Sequence, residues 1–430
     1  MNAIKTVKTA NIVFIGAGSM SFGMSTFGDL FTTPELKGAV LSLVDTDAEN
    51  LERMYGLALK MNEASGMELK INKTTRRRDV LSGADYVVNS LAIERCNLWR
   101  HDFQVPLKYG VKHCLGENGG PGALFFTLRT IPLIVEICRD MEELCPDAWF
   151  LNFSNPESRI ILAINKYTKI KCAGFCHGIY MGKWAVAGIL GLDAKEIEVV
   201  GAGLNHFQWL TSIRRISDNT DLYPLLREKE KTFNPDYAPF SRKIFRAFGY
   251  WATCSDDHLG EYLQYGYESG MHGYNFDADD KGHIEMKQYI REIMEDKKDV
   301  KELFKKSGEK AIDTIVALHT GKRTEIPAAI VYNDGAIKNL PNDLAVEIPV
   351  IADGGGITKI HIGEVPAGAA SLMMLQVGPQ QMSVEAAVRG DKQLALQALL
   401  VDPVVNSTDA AVKILDELWE INKPYIRNVL

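Results

Sequence analysis

The stretch Asn11-Ile12-Val13-Phe14-Ile15-Gly16-Ala17-Gly18-Ser19 decides the fold of the first part of the chain. Its β-branched, apolar first half predicts a buried strand, and the glycines predict a tight turn into a helix that runs to residue 30. Gly16 permits the turn, and Gly18 lets the backbone approach a pyrophosphate at the helix N-terminus. Ser21 replaces the third glycine of this fingerprint, so the motif needs support from its surroundings.

The segments that follow provide that support. A second apolar run, 39–44, ends on Asp45, whose carboxylate can take the ribose hydroxyls of an adenosine and disfavours a 2′-phosphate. A charged helix over 47–64 and a strand over 85–90 come next, so that apolar strands alternate with helices. This alternation predicts an α/β fold with a Rossmann-type, doubly wound parallel sheet. The residues expected around NAD are Gly16, Gly18, Ser19, Asp45, Asn89 and Asn152.

Polar residues follow three further apolar runs. Asn155-Pro156 ends the run 148–153, Cys176-His177 ends a run after Ile170, and Asn205-His206 follows Val199-Val200 and a Gly-Ala-Gly turn. Because ligands bind outside the carboxyl ends of strands in open α/β sheets, these groups can meet over one crevice. A thiolate and an imidazole would suit a borderline-soft divalent metal there. The alternative is that Cys176 is only a small buried residue, since two candidate ligands are too few for a structural zinc site.

The remaining segments divide the chain. A glycine-dense loop, 116–122, precedes a helix expected over 123–144, and residues 248–262 concentrate groups that can transfer protons or hold sugar hydroxyls. The alternative for the latter is a helix start with Ser255 or Asp256 as N-cap. A charged helical arm over 277–306, paired strands over 328–350 and helices over 383–400 and 409–430 follow. The expected domains are 1–200, binding NAD, and 201–430, an α+β catalytic and oligomerisation domain.

Composition excludes several classes of protein. The 430 residues are 46% apolar and 24% charged with a net charge of -7, which indicates a soluble globular protein without a nucleic-acid patch. The short basic run Arg76–Arg78 fits a solvated face. Seven cysteines, an odd number in a long chain, imply no disulfide framework and a reducing cytoplasm. No signal-peptide core or membrane span is found in the sequence.

At this point the chain resembles glycoside hydrolase family 4, the NAD- and metal-dependent glycosidases. The residues that carry the resemblance are Gly16–Ser19, 128–132, Asn155-Pro156, Cys176–Gly178, Gly203–His206, 253–262, 339–343 and 346–349. The later groups are similar to the α-galactosidase (melibiase-like) branch, and Cys-His-Gly differs from the type associated with phosphorylated sugars. Glu157 departs from that branch, which carries Met after Asn-Pro, and the expected Arg near Phe126 and Glu near Cys254 are missing.

The resemblance implies a lactate/malate dehydrogenase-like fold and an unusual hydrolysis of α-glycosidic bonds. NAD would oxidise the sugar C3 hydroxyl, a base would remove the C2 proton, the aglycone would leave, water would add back, and the bound NADH would reduce C3 again. It implies Cys176 and His206 as ligands of a divalent metal, expected to be Mn²⁺. His177 is the expected acid, and the base is expected among Tyr262, His258 and Asp256, in that order. Asn155, Asn205 and Glu117 are expected to bind substrate.

The substrate and the class of protein leave alternatives open. An unphosphorylated α-galactoside ranks first, because Glu157 would repel a carboxylate, although Arg95, Arg129 or Arg159 could reverse that. An α-glycoside of a uronic acid (an α-glucuronidase or α-galacturonidase activity) ranks second and an α-glucoside third. A lactate/malate-type dehydrogenase and a sugar- or nucleotide-binding regulator remain as other classes. The long closing helices, with the resemblance, predict a homodimer or homotetramer.

Overall fold

The structure is a computed structural model that describes residues 9–430 and, within them, every side chain except those of residues 21 and 22. The strands are β1 Asn11–Ile15, β2 Val40–Val44, β3 Lys70–Thr74, β4 Tyr86–Asn89, β5 Trp149–Asn152, β6 Lys171–Gly174, β7 Ile197–Leu204, β8 Phe207–Arg215, β9 Thr324–Tyr332, β10 Ala345–Asp353 and β11 Gly356–Lys359.

Helices and short 3₁₀ turns connect these strands. The helices are α1 Met20–Phe31, α2 Ala48–Ser65, α3 Arg78–Leu81, α4 Arg95–Lys108, α5 Gly120–Leu144, α6 Glu157–Tyr167, α7 Gly178–Leu190, α8 Tyr223–Lys229, α9 Pro239–Phe248, α10 Asp256–Gly260, α11 Phe276–Met294, α12 Ala311–Thr320, α13 Ala367–Met374, α14 Val377–Arg389, α15 Lys392–Val401 and α16 Thr408–Asn422.

All the strands belong to one sheet. Its order is β3-β2-β1-β4-β5-β6-β9-β10-β7-β8, with β11 beside β10. The pairs from β3 to β6 are parallel, in the order of a dinucleotide-binding fold, whereas β9, β10, β7 and β8 pair antiparallel. The predicted boundary at residue 200 lies inside β7, so the two expected domains share this sheet.

Both faces of the parallel half are covered, as its continuous apolar strands require. Along β1, Ile12 and Phe14 face the core formed with α1 and α2, while Val13 and Ile15 face the core formed with α5 and α6. Among residues 9–430, α5 is the one helix long and apolar enough to cross a membrane, and 89% of its most apolar window is buried inside the protein. It is therefore the central core helix.

Several predicted boundaries were wrong for local reasons. Helix α5 begins at Gly120 rather than 123, because Pro121 is compatible with a first turn. The helix predicted over 383–400 is two helices, since Gly390 adopts a positive φ of 65° and ends α14. The closing helix stops at Asn422, two residues before Pro424.

The Gly-Ala-Gly stretch before Asn205 is also not a turn. Residues 201–203 belong to β7, and the turn consists of Asn205 and His206, because Leu204 pairs with Phe207 across a two-residue hairpin. His206 accordingly has a φ of 61°. The predicted arm over 277–306 begins as α11, which packs against α2 and α4 and so brings the second half of the chain onto the nucleotide-binding half.

Candidate active site

A cavity of about 1030 Å³ lies at the carboxyl ends of the parallel strands. The predicted site residues that line it are Gly16, Gly18, Ser19, Asp45, Glu117, Asn155, Cys176, His177, His206 and His258. The predicted residues outside its lining are Asn89, Asn152, Asn205, Asp256 and Tyr262. One cavity therefore joins the glycine turn to the cysteine and histidines that follow β6 and β7.

The glycine turn is shaped by close backbone packing. Gly16 has a φ of 80°, and a Cβ there would lie 2.7 Å from the backbone of Ser90 and Leu91. A Cβ on Gly18 would lie 2.7 Å from Oδ2 of Asp45, and the Gly18 amide donates to that oxygen at 2.8 Å. The observed neighbour of Gly18 is thus the Asp45 carboxylate, which the missing side chain allows to approach the turn.

Asn89 and Asn152 are buried at the strand ends behind the cavity and do not line it. Both are fully buried, and Nδ2 of Asn89 donates to Oδ1 of Asn152 at 2.8 Å and to Oγ of Ser154 at 3.0 Å. Nδ2 of Asn152 donates to the carbonyl of Ser154 at 2.9 Å. The side chains at these two strand ends join β4 to β5, and their contact with NAD stays a prediction.

His206 is the most constrained side chain at the other end of the cavity. It lies in the β7–β8 turn, 7% exposed, and its Nδ1 is 3.0 Å from the side-chain amide of Asn118. Burial, with the nearby His258 and His177, holds its pKa well below the usual value. A neutral imidazole leaves the Nε2 lone pair for a metal ion only when its proton is on Nδ1, which requires the Asn118 amide to turn its oxygen toward Nδ1. Cys176, after β6, lines the same cavity, and burial raises the pKa of its thiol in the absence of an ion.

His258 is held by a buried glutamate. Its Nδ1 lies 3.1 Å from Oε1 of Glu261, and its ring centroid lies 4.3 Å from that of His206. Burial lowers the pKa of His258, but the hydrogen bond and charge of Glu261 outweigh burial, and the pKa is raised. One donor atom from each of these three residues lies within 4.8 Å of the others, so the cluster could also hold a metal ion.

Glu261 also fixes the glycine-dense loop. Its Oε2 accepts from the backbone amides of Glu117, Asn118 and Gly119 at 2.9, 2.7 and 3.1 Å. These amides precede the N-terminus of α5, where the helix dipole also stabilises a carboxylate. The same side chain therefore positions the loop that carries Asn118 and the ring of His258. Within the stretch that ends at Tyr262, no separate sequence signal pointed to Glu261.

His177 forms a second histidine–carboxylate pair. Its Nδ1 lies 2.9 Å from Oε1 of Glu309, and both side chains line the cavity. The hydrogen bond to Glu309 outweighs burial and raises the pKa of His177. Sequence reasoning missed Glu309, which lies in a charged run 132 residues from His177 and carries no local signal.

Tyr262 and Asp256 do not reach the cavity. The Tyr262 hydroxyl donates to the carbonyl of Asn205 at 2.8 Å, and its ring stacks on Phe207 at 4.9 Å. Burial raises the pKa of Tyr262 well above its usual value. The Asp256 carboxylate accepts from the backbone amides of Phe240 and Ser241 at 2.9 and 2.8 Å, at the first turn of α9. Of the three predicted base candidates, only His258 faces the crevice.

The expected substrate-binding residues are split between the cavity and the layer behind it. Glu117 and Asn155 line the cavity, and Glu117 is ion-paired with Arg95. Asn205 is buried behind the cavity, where its Nδ2 donates to Oε2 of Glu347 at 3.1 Å. The hairpin turn directs this side chain toward β10, and its contact with substrate stays a prediction.

Glu157, the residue that departs from the α-galactosidase pattern, lines the same cavity. It is 2% exposed, and its Oε1 accepts from the Phe175 amide at 2.7 Å. A Cβ on Gly174 would lie 2.7 Å from the same oxygen, so this carboxyl group is closely packed. Burial, followed by the charge of Glu347, raises its pKa well above the usual value.

The comparisons with known proteins agree with this geometry. Residues 11–192 match the family 4 glycosyl hydrolase, and residues 201–405 match the family 4 glycosyl hydrolase C-terminal domain. The chain is 33% identical over 407 residues to an alpha-galactosidase of Bacillus subtilis strain 168, covering 91% of this chain and 92% of the relative. It is 29% identical to an alpha-glucosidase of Erwinia rhapontici (96% and 98% covered) and 26% identical to an alpha-galacturonidase of Thermoanaerobacterium saccharolyticum (98% and 97% covered).

Solved structures share the fold. A 6-phospho-alpha-glucosidase from gut microorganisms, in complex with NAD and Mn²⁺, superposes with a TM-score of 0.83 at 21% identity, covering 98% of this chain and 100% of that one. A malate dehydrogenase from Plasmodium falciparum superposes with a TM-score of 0.54 at 14% identity, covering 90% and 99%. The predicted fold class is confirmed. The chain belongs to the family 4 glycosyl hydrolases, and the family predicted from its motifs is correct.

Proposed function

We propose that this glycosidase uses NAD and a divalent metal, Mn²⁺ in the first instance, to hydrolyse an unphosphorylated α-glycoside. The single observation that carries the proposal is one cavity that contains both parts of the site. It is lined by the glycine turn at Gly16 and by Asp45, and also by Cys176, His206 and two histidines that are each hydrogen-bonded to a glutamate. A dehydrogenase active site needs no thiol and histidine set beside the nucleotide turn. A family 4 glycosidase requires both parts within reach of one sugar.

The residues present fit both cofactors. Gly16 and Ser19 would hold the dinucleotide, and Asp45 would take the adenosine ribose, because a carboxylate that accepts two backbone amides retains further acceptor sites. Cys176 and His206 would hold the metal, with Asn118 orienting the His206 ring. When bound, the nicotinamide would supply reversible hydride transfer at sugar C3, and the metal ion would supply Lewis acidity toward the C2 and C3 oxygens.

We assign the two proton-transfer roles to the two histidines. His177 donates a proton to the glycosidic oxygen, since Glu309 stabilises its protonated ring. His258 accepts the C2 proton at Nε2, because Glu261 engages Nδ1 and fixes the ring. A His258→Gln variant tests this role. It should lose both hydrolysis and C2 exchange with deuterated water while its Mn²⁺ affinity stays at the parental value. A large fall in Mn²⁺ affinity would instead make His258 a metal ligand.

The charges at the sugar end favour a neutral sugar, with an α-galactoside first. Arg129 and Arg159 are fully buried and do not line the cavity, and Arg95 is ion-paired with Glu117. Of these three arginines, none is therefore both unpaired and on the cavity wall for a carboxylate or phosphate. The alpha-galactosidase relative supports the same ranking, and the alpha-galacturonidase relative keeps a uronide second.

One experiment separates this function from the alternatives. NADH absorbance should be followed together with aglycone release from nitrophenyl glycosides. A glycosidase of this type releases aglycone with catalytic NAD and no net NADH, a dehydrogenase produces NADH in step with substrate, and a regulator does neither. Efficient cleavage of only a 6-phospho-sugar would overturn the proposed substrate class.

The quaternary state and the compartment remain predictions. A homodimer or homotetramer is expected in solution, and light scattering that detects only a 47.8 kDa species would contradict it. The cytoplasm is the expected location.

A further inference from the structure

The segment 423–430 runs back across the nucleotide-binding half after α16. The Tyr425 hydroxyl donates to the carboxylate of Glu94, at the N-terminus of α4. Arg427 donates through Nε and Nη2 to the two oxygens of Glu136 on α5, both at 2.7 Å. The amide of Val429 donates to the carbonyl of Val388 at 2.9 Å. Three attachments therefore fix the path of this segment.

Two of its side chains, Tyr425 and Arg427, line the cavity. On α5, Leu133 and Ile137 provide an apolar part of the same wall. Arg77 lines it too, and its Nε donates to Asp140, one helical turn after Glu136 and on the same face of α5, at 2.6 Å. Carboxylates one helical turn apart on α5 thus hold the two guanidinium groups, and Ile137 between them in sequence lines the same cavity.

The position of this wall identifies the part of a dinucleotide that it would meet. Arg77 and Thr75 follow β3, and Asp45 follows β2, so these lining residues lie beyond the turn that would hold the pyrophosphate, away from β6. In the parallel order β3-β2-β1-β4, this is the adenosine side of the crevice. The metal and sugar residues follow β6 and β7 on the other side.

The chemistry of the wall suits an adenine ring. The Glu136 carboxylate accepts two hydrogen bonds from the edge of the Arg427 guanidinium group. This pairing balances the charge of Arg427 and leaves the planar faces of the guanidinium group for stacking. Arg77 is likewise engaged at Nε by Asp140. An uncharged aromatic heterocycle can stack on the two guanidinium groups and pack against the apolar residues of α5. A phosphate would suit this wall less well, because it would compete with Glu136 and Asp140 for the arginine N–H donors.

We propose that Arg427, carried by segment 423–430, forms the adenine subsite together with Arg77 and Ile137. The subsite takes the adenosine half of the nicotinamide dinucleotide, and the inference rests on the proposed use of NAD. Arg427 contributes through the planar face of its side chain as well as through its charge.

Isothermal titration of NAD⁺, 5′-AMP and nicotinamide mononucleotide tests the subsite. Arg427→Ala should weaken NAD⁺ and 5′-AMP by roughly fivefold or more, the size of a partly desolvated cation–π contact, and leave the mononucleotide unchanged. Arg427→Lys keeps a cation for Glu136 but has no planar face, so it should weaken both adenosine ligands as well. It also covers the case in which the alanine variant does not fold. Arg246→Ala is the matched control, because Arg246 binds Glu230 through the same two atoms and does not line the cavity.

The outcomes are distinct. Arg427 variants that bind NAD⁺ and 5′-AMP as tightly as the parent overturn the subsite while leaving the proposed function standing. Equal weakening by Arg246→Ala also overturns it, since the effect would then not be specific to the cavity. A parent protein that binds no NAD⁺ overturns the proposed function and the subsite with it.

Discussion

Replacing Glu261 with alanine tests whether one carboxylate holds the glycine-dense loop and the His258 ring together. The side chain is fully buried, with Oε2 accepting from three consecutive backbone amides and Oε1 engaging His258 at 3.1 Å. Among the described residues, no other side chain accepts a hydrogen bond from those amides.

The magnitude follows from the number of donors. A buried donor left unpaired costs about 1–3 kcal/mol, so three would cost about 3–9 kcal/mol if their effects were additive. Water entering the vacated space would satisfy some of them, which places the expected loss at the lower end, about 3–5 kcal/mol. A loss of this size is a large fraction of the roughly 5–15 kcal/mol by which folded proteins are stable.

Urea unfolding followed by circular dichroism measures the loss. Glu261→Gln is the informative partner, because its amide oxygen can still accept from the loop while its NH₂ group opposes Nδ1–H of His258. It should lose about 1–2 kcal/mol of stability but most of the hydrolysis. Glu268→Ala, at an exposed ion pair with Lys243, should stay within about 0.5 kcal/mol of the parent. An alanine variant at 261 that loses less than about 1 kcal/mol would refute the assigned role of this carboxylate.

Three other predictions concern the metal, the tyrosine expected to act as base and a surface carboxylate. Cys176→Ser should weaken Mn²⁺ binding, measured by electron paramagnetic resonance, and abolish metal-dependent hydrolysis with an unchanged fold, because the proposed ligand is the thiolate; full activity of the parent after exhaustive chelation would contradict this. Tyr262→Phe should retain C2 exchange and hydrolysis and lose only about 1 kcal/mol of stability, because its hydroxyl is bound to Asn205; loss of exchange would restore Tyr262 as the base. Burial raises the pKa of Glu385, but Lys166, Tyr167 and Arg389 outweigh burial and bring it to about 2, below its ordinary 4.5. Because the pKa is depressed on folding, this stabilisation is present above the ordinary value and is lost as the pH falls toward 2. Glu385→Gln should therefore be about 1 kcal/mol less stable than the parent at pH 7, after allowance for solvent screening, and a gap that does not close between pH 5 and pH 2 would contradict it.

Local sequence signals predicted most of the parallel half of the fold, although not strand β3. Strands β1, β2 and β4 and the turn at Gly16 were predicted correctly because their signals are local: apolar runs that end in glycine or in polar residues. It also identified Cys176, His177, His206 and His258, which the structure brings to one cavity, although their roles are proposals. The family prediction rested on such short motifs and is confirmed by the comparisons.

Only the tertiary structure decided which side chains complete the site. The partners that orient the two histidines differ greatly in sequence distance, since Glu261 is three residues from His258 and Glu309 is 132 residues from His177. Arg427 lies 291 residues from the glutamate that fixes it.

Tyr262 shows the same limit within one short stretch. Its motif position predicted a base, yet the stacking on Phe207 turns its hydroxyl to the backbone of the β7–β8 turn. Local patterns report whether a residue is buried and where an element ends. The direction of a polar atom depends on elements that meet only when the chain has folded, because each buried donor or acceptor turns to the partner that its final neighbours provide.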